Sequence, residues 1–419
     1  MIDRCRAALL VSAAAYLALL PSNALSFWRS LAFGWSAVLA LTLLVAAARD
    51  SRFRLPLPGT AVPVAVAAWA AWAVASLAWS IDPAFTAREL KSDVLWGLAT
   101  MTIFYVAGAS LRGWRALAAT VLGGLAFWPA LALGMHWSDA GWNARSAHMG
   151  VVAYSTYLVT VAPLILLLLW PAPLGFRERR RGAWVAVLLF ALVLVTARLS
   201  ENRIVWIALA AAIVLLAIAL WPTLSAMKIA FAAGGLLVAF ALLFAVTAQE
   251  RAESRSSQAT TIAESFSADP RLSIWKHAAK HIAERPWQGY GYGRLILQDE
   301  LRDDTGDRLL THAHNTFVSQ WLQTGAVGVV LLVALFGALG LRYVQLVRSD
   351  DQTLARLGAV GLAVLVSFIV KNLTDDFFFR ANAKLFFAVH ALLLGVSAMR
   401  LRERGRVSAA AAPAAAEAR

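Results

Sequence analysis

Charge is what this chain has least of. Only 15% of its 419 residues are Asp, Glu, Lys or Arg and 60% are hydrophobic, with a mean hydropathy of +0.66. A soluble domain of this length carries about a quarter charged residues. Cysteine is nearly absent: Cys5 stands alone, which excludes an intrachain disulfide and a cysteine metal cluster. Short alternating apolar segments, the mark of a membrane barrel, are missing. So is a dinucleotide fingerprint: the glycines at 289, 291 and 293 follow a helical pattern and Pro286 rather than a strand, and read as a turn that lets backbone approach a ligand. Acidic clusters are confined to Asp303-Asp304 and Asp375-Asp376; neighbours on a helix do not share a face, so both pairs read as solvated loop residues, and no metal site is expected.

What fills the chain is long apolar runs, which read as membrane-spanning helices because lipid obliges the backbone to pair within each segment. The fold class expected is all-α: a polytopic helical membrane bundle with about twelve spans, near 7–22, 27–48, 60–80, 95–111, 114–135, 150–170, 183–199, 203–221, 227–248, 314–341, 355–373 and 384–400. Residues 1–24 mimic a signal peptide, yet the many spans that follow favour an uncleaved first span. The domains expected are a bundle over 1–248, an external loop over 249–313, spans again over 314–400, and a tail over 401–419 whose Ala/Pro run from Val407 reads as disordered.

The formal net charge of +14 would point to nucleic acid in a soluble protein; here it follows the topology, and no nucleic-acid partner is expected. With both termini cytoplasmic, the inside loops and tail hold 20 basic residues and the short outside loops nine, the bias of the positive-inside rule. The loop over 249–313 lies outside, and long loops cross regardless of charge. Between its two prolines, Leu272, Trp275, Ala279 and Ile282 recur at helical spacing, as in an amphipathic helix on the membrane surface or capping the bundle.

Several polar residues gather at the outer rim. Arg203, at the mouth of the seventh and eighth spans, reads either as a snorkelling side chain or as an anion ligand at a helix N-terminus. Arg271, following Asp269 and Pro270, reads as a salt-bridge partner of Asp269 or Glu264, or as a second anion ligand whose planar fork suits a diphosphate. His312 and His314 stand where the loop re-enters the membrane, followed by Asn315; an imidazole titrates near neutral pH and can take a proton from a hydroxyl. A metal at these histidines with His277 and His281 is disfavoured by Lys276 and Lys280 beside them. Arg88, Lys91, Arg145 and Arg380 are further outside cations, each with a snorkelling reading of equal weight.

At these residues the sequence resembles a known family. Arg203 and Trp206 open a span; Asp269, Pro270, Arg271, Leu272, Ile274 and Trp275 follow in the long loop; then come Pro286 with Gly289, Gly291 and Gly293, and His312-Ala313-His314-Asn315 entering a span. After Asn315 come nine residues, Gly325, two residues and Gly328. In this order and topology the chain resembles the O-antigen ligase and O-antigen polymerase superfamily over most of its length.

The resemblance implies a bacterial inner-membrane glycosyltransferase working at the periplasmic face without metal, nucleotide or other cofactor. Its donor would be a glycan on undecaprenyl diphosphate, and its acceptor a sugar hydroxyl of the lipid A–core oligosaccharide. His314 would be the catalytic base, with Arg203 and Arg271 on the donor diphosphate. His312, Asn315, Arg88, Lys91, Arg145 and Arg380 would be secondary candidates for donor or acceptor binding. Rival readings are a polymerase or a protein O-oligosaccharyltransferase using the same donor, and a transporter or flippase for an anionic lipid, which would place charges and broken helices near the bilayer midplane.

Overall fold

The computed structural model describes residues 2–49, 59–138, 150–169, 179–221, 226–255, 270–305 and 311–417. Among them no strand occurs, and the chain is a polytopic all-α membrane protein. The bundle begins with α1 (Ile2–Leu19), α2 (Ser26–Arg49) and α3 (Ala61–Ala75). Next come α4 (Pro83–Glu89), a π-helical turn (Leu90–Leu95), α5 (Trp96–Gly108) and α6 (Leu111–Trp137). Then follow α7 (Val151–Val161), tightening into a 3₁₀ run to Leu169, α8 (Arg179–Leu199), α9 (Ile204–Leu220) and α10 (Ala226–Arg255). Two short helices, α11 (Pro270–Glu284) and α12 (Gln298–Thr305), precede α13 (Thr316–Val347), α14 (Gln352–Lys371) and α15 (Arg380–Glu417).

Each of the twelve expected spans falls on a helix. Nine described helices are long and apolar enough to cross a membrane. The other three are α1, with charges in its first turn, and the shorter α5 and α9. Burial sorts the centre from the lipid-facing rim: 83% of the window in α7 and 78% in α15 is enclosed, against 22% in α2 and 17% in α10. A helix apolar all round sits either in a core or in lipid; here both kinds occur. α5 packs along α15, α9 along α14, and α13 along α14 and α3. The last helix continues to Glu417, through the stretch expected to be disordered; alanine, which reads as low complexity, is also the strongest helix former.

α13 is broken. Gly325 has φ 68° and ψ −172° inside an otherwise continuous 32-residue helix. The break frees carbonyls near the outer end of the span, and each must be satisfied within the protein. The glycine turn does this: Tyr290 N–H donates to Leu322 O (2.9 Å) and Gly291 N–H to Gln323 O (2.9 Å), while the Trp72 indole donates to Thr324 O (2.9 Å). In return Ala326 N–H donates to Pro286 O (2.8 Å) and Gly293 N–H to Gln323 Oε1 (2.9 Å). Gly289 therefore admits the backbone of α13 at closest approach, since a Cβ there would lie 2.6 Å from Leu322 O, while Cβ atoms at Gly291 and Gly293 would meet the side chains of Ser80 and Phe85. A break like this was expected of a transporter; here it lies ten residues after Asn315, well toward one end of the helix.

The outer segment caps the bundle. α11 buries Ile274 and Ala278 against Tyr290, Ile296, Leu297, Leu301, Ala313 and Leu322. The amphipathic helix thus exists with its stripe rotated from the expected one: Leu272 is exposed, and Ile274 takes the inward position. Leu272 instead faces the groove described next.

Candidate functional site

The loop joining α14 to α15 draws together the end of α14 and the starts of α9, α11 and α13. Asp375 and Asp376, expected to be solvated, are buried there (1% and 4% exposed). Adjacent carboxylates in a loop are free to diverge, and these two do. Asp375 accepts from Lys371 Nζ at the end of α14, from Arg271 Nη2 (3.3 Å) and from Asn202 Nδ2 (3.4 Å). Asp376 faces Arg294 Nε (3.4 Å) and accepts from Thr316 Oγ1 (3.2 Å). Burial raises the pKa of Asp376, and the Arg294 guanidinium opposes that rise. Arg271 thus pairs with Asp375, 104 residues away; Asp269 and Glu264 lie outside the described residues.

Arg203 and Arg271 come together. With Ile204, Ile207, Phe244, Leu272, Trp275 and Thr374 they line a pocket of about 200 Å³. Arg203 precedes the first turn of α9 and Arg271 sits in the first turn of α11. Two guanidiniums at two helix N-termini, walled by apolar side chains, have the chemistry that would suit an anion attached to a hydrocarbon.

The histidines stand on the other side of Asp375-Asp376. Arg294 hydrogen-bonds His312 Nε2 and is stacked between Phe379 (4.3 Å) and Phe377 (5.0 Å). A guanidinium only donates, so His312 Nε2 accepts and its proton sits on Nδ1, within 3.3 Å of Thr311 Oγ1. Burial, and then the Arg294 charge, hold the His312 pKa far below its ordinary value; this ring stays neutral. His314 packs on it with ring centroids 3.8 Å apart. Its backbone is in the left-handed region (φ 49°), uncommon for a non-glycine residue and concentrated at functional sites.

The secondary candidates divide. Asn315 belongs to the fold: its Oδ1 accepts from Phe317 N (2.9 Å) and Val318 N (3.1 Å), capping α13, and its Nδ2 donates to Leu373 O (2.8 Å). Arg380 (φ 48°) donates its backbone N–H to Asp93 Oδ1 (2.9 Å) from the π-helical turn and extends into a large cavity. Arg88 and Lys91 are exposed and line neither cavity; Arg145 lies outside the described residues. His277 and His281 share Asp304, at 3.9 and 2.8 Å, and among the described residues no group of three potential ligands is placed to hold a metal ion.

Sequence reasoning missed Arg294, Asp375, Asp376 and Lys371. A signal existed for the last: Lys371 and Asp375 are four apart at the end of a span, where a charge is costly unless paired. Arg294 offered only its place directly after the third glycine.

No curated protein matches the chain. A family model does: residues 185–333, which hold Arg203, Arg271, Arg294 and both histidines, match the one described as O-Antigen ligase.

Proposed function

We propose that the protein transfers a glycan from undecaprenyl diphosphate to a sugar hydroxyl of the lipid A–core oligosaccharide at the periplasmic face of the bacterial inner membrane. The observation that carries this reading is the convergence of Arg203 and Arg271 on one apolar-walled pocket, with the His312–His314 pair across the Asp375-Asp376 loop. The diphosphate sits between the guanidiniums and the polyprenyl chain follows Ile204, Ile207 and Phe244 toward the lipid.

The acceptor hydroxyl attacks the anomeric carbon from the face opposite the diphosphate. The new C–O bond forms as the bond to the diphosphate oxygen breaks, and the hydroxyl proton passes to His314. One displacement with no enzyme nucleophile inverts the configuration. General-base catalysis of this kind is worth roughly 10²–10⁴ in rate, and the charge that grows on the leaving diphosphate is met by Arg203 and Arg271. His312 holds the neighbouring ring in place while Arg294 keeps it neutral, so that one histidine only changes protonation.

The test is transfer by the purified protein in detergent, with lipid-linked glycan and, in turn, lipid A–core, a second lipid-linked glycan and a protein acceptor. Lipid A–core alone should be glycosylated; product on another acceptor makes the protein a polymerase or a protein O-oligosaccharyltransferase. His314→Ala should keep affinity for undecaprenyl diphosphate and lose transfer; full activity removes it as the base. Arg203→Ala and Arg271→Ala should each weaken undecaprenyl diphosphate binding about tenfold or more; unchanged affinity removes them as diphosphate ligands.

A further inference from the structure

A second and larger cavity opens against the Phe377–Phe379 loop. It measures about 970 Å³, the upper end of the range for small-molecule sites. Four cations line it, Arg29, Arg294, Arg380 and Lys384, and among its described lining residues there is no carboxylate. Asp376 and Glu89 answer two of the four from behind the wall, at 3.4 Å from Arg294 Nε and 3.9 Å from Arg380 Nη2. Asp93, in the π-helical turn, is occupied by the Arg380 backbone N–H and attracts Lys384 from outside the lining. Arg29 donates instead to main-chain carbonyls, Leu20 O (3.2 Å) and Ser22 O (2.9 Å), which fix its guanidinium at the cavity edge. The lining itself therefore holds four positive charges and no negative one, with three carboxylates, Asp376, Glu89 and Asp93, behind it. Between the cations stand amide and aromatic groups, Asn23, Asn382 and Trp96, the chemistry that hydrogen-bonds sugar hydroxyls and stacks on pyranose faces. Arg294 connects the cavity to the reacting groups, since the guanidinium that lines it also holds His312.

We propose that this cavity binds the acceptor through phosphate groups on its saccharide headgroup, with Arg29 and Lys384 as the residues that select a phosphorylated acceptor. The inference rests on the transfer reaction proposed above and names its acceptor subsite. An in-line displacement needs the nucleophile on the face away from the diphosphate; one stretch of chain serves both sites, with Thr374 lining the pocket of Arg203 and Arg271 and Phe377 and Phe379 lining the cavity of Arg29 and Lys384. Phosphate is also carried by bilayer lipids, so the test separates the two sources.

The experiment uses the full chain in nanodiscs of zwitterionic phosphatidylcholine, with and without an anionic phospholipid. The probe is a fluorescently labelled phosphorylated core oligosaccharide, compared with the same material after phosphatase treatment. Phosphatase treatment should weaken binding to the unaltered protein about tenfold, the value of a charge-assisted hydrogen bond. Lys384→Gln and Arg29→Gln should each lose a similar factor and become indifferent to the phosphatase, while undecaprenyl diphosphate binds all three proteins equally. If Arg29→Gln loosens the α1–α2 turn, Lys384→Gln carries the comparison alone. Equal affinity of the variants and the parent for the phosphorylated probe overturns the proposal. So does a loss of undecaprenyl diphosphate affinity, or an effect that follows the phospholipid and not the probe. Absence of glycan transfer with these affinities intact sinks the proposed reaction and leaves the subsite standing; normal transfer with indifferent affinities sinks the subsite only.

Discussion

Lys371 is fully buried at the end of a membrane span, and its ammonium is bound to Asp375. The same carboxylate holds Arg271 at 3.3 Å, so Lys371, Asp375 and Arg271 together carry one net positive charge. With only Asp375 and Arg271 the net charge would be zero, and the diphosphate pocket would lose half of the attraction it owes to this pair of guanidiniums. One unit charge acting over roughly 8 Å at an effective dielectric of about 20 is worth about 2 kcal/mol, or about thirtyfold in affinity. Lys371→Met should therefore weaken undecaprenyl diphosphate binding by roughly that factor. Asp375→Asn does something different: it leaves a buried ammonium without its counter-ion, which costs about 3–5 kcal/mol of stability. The double variant Lys371→Met with Asp375→Asn removes both charges and should recover most of that stability, as well as donor binding, because Arg271 is then unopposed. Thermal unfolding in detergent and titration with undecaprenyl diphosphate read the two effects separately. A double variant no more stable than Asp375→Asn alone, or donor affinity in Lys371→Met equal to that of the parent, refutes the assignment of Lys371 as the charge that keeps Arg271 available to the donor.

The break in α13 and the neutral histidine give two further expectations. A Cβ at Gly325 would overlap the Trp287 carbonyl, at a residue whose φ is 68°, so Gly325→Ala should abolish folded protein in the membrane. Gly340→Ala, whose Cβ would meet Leu365 at 3.6 Å, should be tolerated; comparable yields of the two sink the role given to the break. Because burial and Arg294 hold His312 neutral, the acid limb of the transfer rate should follow one proton rather than two, from His314 as the base. The sign follows from the direction of that shift: a group whose pKa lies far below the assay range gains no proton as pH falls from 8 to 5. A limb with a slope of two would mean that both rings titrate.

The bundle was legible because its signal is additive: each span repeats the same apolar composition. The approach of Arg203 to Arg271 was legible as chemistry, since two guanidiniums at helix starts on one rim suit one anion, although nothing in the sequence measures their distance. The centre of the site was not. Asp375 and Asp376 look like a solvated pair because adjacency is visible in a sequence and divergence in a loop is not. Their partners Arg271 and Arg294 are about a hundred and about eighty residues away. The stripe on α11 was misplaced for a related reason: Leu272 is apolar but faces a groove rather than the core, and hydrophobicity alone does not distinguish the two.

The two glycine motifs gain a physical meaning together that neither has separately. Gly325 breaks α13 and exposes the carbonyls of Leu322, Gln323 and Thr324; Gly289 and Gly291 let a turn come close enough for its N–H groups to satisfy the first two. In lipid an unpaired carbonyl costs several kcal/mol, so the turn is locked to the outer half of α13 by the cost of leaving. That half starts at His314 and Asn315, and the turn ends at Gly293 and Arg294. Locking one to the other fixes Arg294 beside His312, and Asp376 receives its cation from the turn and its hydroxyl donor, Thr316, from the helix. On this account the spacing from His314 to Gly325 is a mechanical requirement. The imidazole must stand at the start of the same half-helix that the turn grips at its end, and inserting one residue between them would rotate His314 about 100° out of its place against His312.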